Sequence, residues 1–161
     1  MPLINAFRMD GLGNRFIIID RREKSINISK EKIIHLGNLK SFHRNIEFDQ
    51  MIFIEKEINN TFPITIFNSD GGEVSACGNG SRCVAYLLSK DLNNKEIKLK
   101  TNNRLLNAKI VGDSDVQLEM GKPEFEWRKI PLKEELDHKN INLNIDGKKF
   151  TDGFSLNVGN P

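Results

Sequence analysis

Between Gly78 and Lys90 the chain carries the run Val84-Ala85-Tyr86-Leu87-Leu88, apolar on almost every side of a helix. A helix without a polar face has to be surrounded. What surrounds it must come from the rest of the chain, which is short, β-rich and broken by turns. Strands are predicted over residues 3–9, 16–20, 51–55, 62–67, 96–101, 104–111, 115–120, 139–145 and 150–158. In the 115–120 segment Val116, Leu118 and Met120 alternate with polar residues, the pattern of a half-buried strand. Asn102-Asn103 has the turn chemistry of a hairpin. A first helix begins at Ser29, a good cap, with Ile33, Leu36 and Leu39 at spacing three and Ile34 beside them. The expected class is α+β, mainly β, with a barrel-like sheet wrapped around the central helix that starts at Gly78.

A chain of 161 residues is one ordinary domain, or one and a half small ones. Met120-Gly121-Lys122-Pro123 is the best boundary, because Gly and Pro both interrupt regular structure. It divides the chain into a first domain over 1–121 and a remainder over 122–161, too short to bury its own core. The remainder is expected to be the first strands of a second, similar domain. The chain stops at Asn157-Val158-Gly159-Asn160-Pro161, inside a turn signal, and is expected to be a fragment. A net charge of +2, with Lys and Arg scattered among Asp and Glu, argues against a nucleic-acid partner. No apolar run approaches the roughly 18 residues of a membrane span. The N-terminus lacks the form of a signal peptide, and two cysteines do not make a disulfide framework. A cytoplasmic protein is expected.

The chemistry concentrates in Ala76-Cys77-Gly78-Asn79-Gly80-Ser81-Arg82-Cys83. Cys77 stands at the start of the buried helix, and Gly78 and Gly80 leave the first-turn amides bare. Those amides and the helix dipole favour an anion, and equally a thiolate. A lone cysteine is more often a small buried hydrophobe. The glycines tip Cys77 towards catalysis or ligand binding. Cys83, six residues on, points to another side of the helix and is expected in the core. Asn68 ends a strand near the same place; Asp70 suits a turn, and Glu73 either a helix-entry carboxylate or a solvated charge. Gly11-Leu12-Gly13-Asn14 lacks the third glycine of a dinucleotide site and could be a plain strand connection. Phe48-Asp49-Gln50 is weaker still. His35, His43 and His138 show no metal-ligand spacing, so no metal site is expected.

Taken together, Gly11-Leu12-Gly13-Asn14, Phe48-Asp49-Gln50, Phe67-Asn68-Ser69-Asp70-Gly71 and the run from Ala76 to Cys83 resemble the diaminopimelate epimerase family. The resemblance is collinear from Met9 to Pro161 and covers the N-terminal part of that family. It implies two similar halves, each a barrel-like sheet around a helix, with the site in the cleft between them. The implied reaction inverts one α-carbon of diaminopimelate, L,L to meso, with no cofactor. One cysteine of each half would work from opposite faces, as inversion requires. Carried over by position, Cys77 is the first-half catalytic cysteine. The amides of Gly78 and Asn79 would hold the α-carboxylate, and Asn14, Gln50, Asn68 and Asn160 would contact substrate or support the site. The partner is then a small-molecule substrate, and the full-length enzyme could be a homodimer.

Arg15, Asn45-Ile46-Glu47 and Gly72 depart from the family pattern in the loops. No second Cys-Gly-x-Gly run occurs in the sequence, so the chain alone is not expected to epimerise at a useful rate. Three alternatives stay open: a related proline racemase or hydroxyproline epimerase, a non-catalytic amino-acid-binding remnant, and a cysteine-nucleophile hydrolase.

Overall fold

A computed structural model describes residues 5–38, 47–130 and 132–159. The chain divides into two compact units, Met1–Glu119 and Met120–Pro161. The first unit holds strands β1 (Ala6–Gly11), β2 (Asn14–Asp20), β3 (Gln50–Ile54), β4 (Phe62–Asn68), β5 (Glu73–Val74), β6 (Glu96–Lys100), β7 (Leu105–Ile110) and β8 (Val116–Glu119). Its helices are α1 (Lys30–Asn38) and α2 (Gly78–Leu92). The strands run in the order β1-β2-β3-β4-β6-β7-β8, with the two-residue β5 paired to β4. Two joins are parallel, β2 to β3 and β4 to β6, and the others are antiparallel.

The helix α2 touches β1, β2 and β3 at one end of that order and β6, β7 and β8 at the other. Laid flat, seven strands spaced about 4.8 Å apart span roughly 29 Å. A helix about 10 Å across reaches both ends only if the sheet curls round it. The expected α+β class, mainly β, is the architecture observed. The helix buries Cys83, Val84, Ala85 and Leu88 against Phe16, Ile18, Ile52, Ile64, Leu99 and Leu106. Tyr86 and Leu87 are only half-buried.

A second core lies on the other face of β2 and β3. Ile19, Ile33, Phe48, Met51 and Phe53 form it, with Ile17, Ile28 and Leu36 packed against it. The runs Phe16-Ile17-Ile18-Ile19 and Met51-Ile52-Phe53-Ile54 therefore feed two cores by alternate residues, which explains their unbroken hydrophobicity. By contrast β7 buries Leu106, Ala108 and Ile110 and exposes the residues between them. Ser29 caps α1 as expected: its Oγ accepts the Lys32 N–H at 3.4 Å. Leu39, placed on the same helix, lies outside the described residues.

The second unit contains a hairpin of β9 (Ile141–Ile145) and β10 (Lys148–Gly153). Asp146 and Gly147, both at positive φ, make the two-residue turn that right-handed strand twist prefers. The predicted 150–158 strand is corrected by this geometry. Pairing starts at Lys148 and ends at Gly153, and Asn157 instead bridges to Glu124. Among the described residues of this unit, Ile130 alone is buried.

Candidate active site

Cys77 is the N-cap of α2, with extended backbone at φ −149° and ψ 106°. Its Sγ accepts the Gly80 N–H at 3.3 Å, and its carbonyl accepts the Ser81 N–H at 2.9 Å. The thiol thus takes the place that a Ser or Asp side chain fills at most helix starts. Gly80 is required by close approach. A Cβ there would lie 2.6 Å from Ile52 Cδ1, 3.2 Å from Phe16 Cε1 and 3.4 Å from Cys77 Sγ.

Burial pushes the Cys77 thiol up from its ordinary value. The N–H groups of Gly80 and Asn79 and the charge of Arg82 pull it down, but by less. The amides and dipole were expected to favour a thiolate. Desolvation of a charged sulfur outweighs them, so the net shift is upward. Cys83 is buried, as expected, and its Sγ lies 2.8 Å from where a Cβ on Gly11 would stand. Burial, with the charges of Cys77 and Asp10, pushes it up to about 11. Neither cysteine forms a disulfide.

Hydrogen bonds tie the β1–β2 turn and Asp49 to this helix start, and a separate bond joins the ends of β3 and β4. The turn between β1 and β2 is Leu12-Gly13, both at positive φ, between the paired residues Gly11 and Asn14. Asn14 Oδ1 accepts from Asn79 Nδ2 at 2.9 Å, and Asn79 Oδ1 accepts from Arg82 Nη1 at 3.1 Å. Asp49 lies just before β3. Its Oδ2 accepts the Arg15 N–H at 2.7 Å and, over 3.4 Å, Asn14 Nδ2. Gln50 opens β3 directly opposite Asn68, the last residue of β4. Gln50 Nε2 donates to Asn68 Oδ1 at 3.0 Å, while Gln50 Oε1 is buried with no partner among the described residues. Asp70 shapes the following turn by accepting the Gly72 N–H at 2.8 Å, the bland role expected of it. Glu73 is not simply solvated: it accepts from Asn102 Nδ2.

Hydrogen bonds therefore join Asn14 with Asn79 and Gln50 with Asn68, while Cys77 and Gly78 head α2 beside Asn79. Asn160 lies outside the described residues. Asp49 and Arg82 were not singled out from sequence. Both sit inside the quoted motifs, and Arg82 follows Asn79 by three residues, the spacing that brings helical side chains together. Among the described residues no group of three or more His, Cys, Asp or Glu side chains could hold a metal. No described helix is long and apolar enough to cross a membrane. A separate cleft of about 750 Å³ is lined by Asp20, Arg22, Lys24, Phe62, Lys90 and Asp91, by the C-terminal half of α2, and none of the candidate residues borders it.

The sequence pattern of diaminopimelate epimerase matches residues 6–126, three-quarters of the chain. The chain belongs to the diaminopimelate epimerase family. It is 44% identical over 161 residues to the diaminopimelate epimerase of Pelagibacter ubique, covering 98% of this chain and 57% of that one. It is 32% identical over 154 residues to the enzyme of the same name from Acidiphilium cryptum, covering 96% and 54%. The chain thus spans about half the length of the curated relatives it matches. Among solved structures, a hydroxyproline epimerase from Agrobacterium vitis is similar with a TM-score of 0.54 at 11% identity, covering 92% of this chain and 47% of that one. A predicted epimerase from Pseudomonas aeruginosa gives 0.52 at 17%, covering 76% and 43%. At such identities the likeness is one of fold.

Proposed function

We propose that this chain forms one half of a site that inverts an α-carbon of diaminopimelate, L,L to meso, without a cofactor. Such an enzyme serves lysine and peptidoglycan-precursor biosynthesis in the cytoplasm. The observation that carries the reading is the Cys77 thiol at the head of α2, followed at once by Gly78 and Asn79, with Asn14 bonded to Asn79; Gln50 and Asn68 are the further substrate contacts. The Gly78 and Asn79 amides take the α-carboxylate, where they also stabilise the charge that develops as the α-proton leaves. The unpartnered Gln50 Oε1 suits an ammonium donor. Neutral amides hold a zwitterion without titrating against it. Asn160 joins them as a further substrate contact.

In this scheme a thiolate on one face removes the α-proton as a thiol on the other delivers one, so the proton count is unchanged. In this half-site Cys77 is the base: burial raises its thiol, and the thiolate it forms takes the α-proton and returns one from the same face. The second thiol comes from outside these residues, and the segment over 122–161 is the start of the domain that carries it. A full-length homodimer is compatible with this scheme. Burial of Cys77 favours one other reading, a binding remnant with an inert thiol.

The test is α-proton exchange on L,L-diaminopimelate in heavy water, with this chain and Cys77→Ala. Deuterium uptake without inversion, absent in the variant, is the expected result. Formation of the meso isomer, lost in the variant, would mean that a second acid is already present and would overturn the half-site. No exchange would leave the binding remnant. Proline and hydroxyproline run in parallel separate the related racemases.

A further inference from the structure

Four polar side chains at the head of α2 form one directed chain of hydrogen bonds. Arg82 donates to Asn79 at 3.1 Å, Asn79 to Asn14 at 2.9 Å, and Asn14 to Asp49 over a longer 3.4 Å. Both ends are one-way, because a guanidinium only donates and a carboxylate only accepts. An asparagine amide can turn over with almost no change of shape. Here a turned Asn79 would set its Nδ2 against the Arg82 donor and its oxygen against the oxygen of Asn14. Asp49 is itself tethered. Its Oδ2 accepts the Arg15 N–H at 2.7 Å, its own N–H donates to the Arg15 carbonyl at 2.8 Å, and its carbonyl accepts the Ser69 N–H at 3.1 Å.

We propose that Arg82 and Asp49 are positioning residues that lock the side-chain amides of Asn79 and Asn14 in a single orientation. Each Nδ2 spends one proton within the chain and keeps its second for an acceptor on the ligand. For the identity of that ligand, an amino-acid carboxylate, the proposal rests on the functional reading above. The lock itself belongs to the unliganded protein.

The test uses the whole 161-residue chain with ¹⁵N-labelled asparagine, Arg82→Met and Arg82→Lys. Methionine keeps most of the stem and removes the donor; lysine keeps a donor. Solvent exchange of the Asn79 and Asn14 side-chain protons is expected to rise about tenfold in the Met variant and to be restored by Lys. Binding of L,L-diaminopimelate, followed by titration, should weaken about tenfold in Met and recover in Lys. Unchanged exchange in the Met variant overturns the lock. Faster exchange with undiminished binding overturns the positioning role. Should the Met variant fail to fold, the wild type alone decides: one slowed proton on each Nδ2 supports the lock, and free exchange of both overturns it. If wild type shows the lock but does not bind diaminopimelate, the orientation stands and the functional reading is what fails.

Discussion

Cys77 and Cys83 share a helix start, and burial raises both thiols, yet they answer to different surroundings. The Arg82 charge lowers both, but Cys77 also has the N–H groups of Gly80 and Asn79, whereas Cys83 has no such amides and feels the charge of Asp10. Cys83 is raised from 9.0 to about 11 in the folded chain. A raised value stabilises the fold below the unfolded thiol's range, and that contribution is lost as pH climbs through the folded value. The chain should lose about 2 kcal/mol more than Cys83→Ala between pH 9 and 11, measured by urea unfolding at each pH. Equal losses would mean that the buried thiolate is tolerated. Arg15 Nη1 meets Glu47 Oε2 at 2.7 Å, an ion pair beside the Asp49 that holds the Arg15 N–H.

At the scale of elements, α1 is instructive because local preference and packing disagree there. Gly37 sits in its last turn, where Ala would improve helix propensity by about 1 kcal/mol. A Cβ at Gly37 would stand 2.8 Å from the Ser69 carbonyl oxygen and 3.0 Å from Ser69 Cβ. Ser69 cannot easily retreat, since its N–H donates to the Asp49 carbonyl at 3.1 Å. Gly37→Ala is therefore expected to lower stability by about 1–2 kcal/mol in urea. It should also disturb the Gln50–Asn68 pair next door. A gain would show that the loop yields. The predicted elements stand within a few residues of the observed ones where turn chemistry is plain, as at Asn102-Asn103, which joins β6 to β7. The two-residue β5 is too short to carry a period, and its pairing with β4 is decided by the neighbouring strand. The hairpin turn Asp146-Gly147 was legible all along, since Asp-Gly is among the strongest short-range turn signals.

For the whole molecule, burial is uneven between the two units. The strands β3 and β4 lie in the cores, whereas Leu143, Ile145 and Phe150 of the β9–β10 hairpin are about half exposed. Amide hydrogen exchange should therefore be slower in β3 and β4 than in β9 and β10 by two orders of magnitude or more. Comparable protection would mean that the second unit is stabilised by something its own burial does not supply. The sequence by itself determined the class of the fold, because a largely apolar helix needs a cover and the rest of the chain offers mostly short strands to supply it. It also placed Cys77 at a helix start, where the structure has it as the N-cap of α2. Only the tertiary structure decided that β2 and β3 are buried on both faces, because a continuous apolar run has the same periodicity in either case. Only it gave Asp49 and Arg82 their partners, 34 residues upstream at Arg15 and at the head of α2. It also decided the direction in which the Cys77 thiol is shifted, because desolvation depends on what packs against a group and not on its neighbours in the chain.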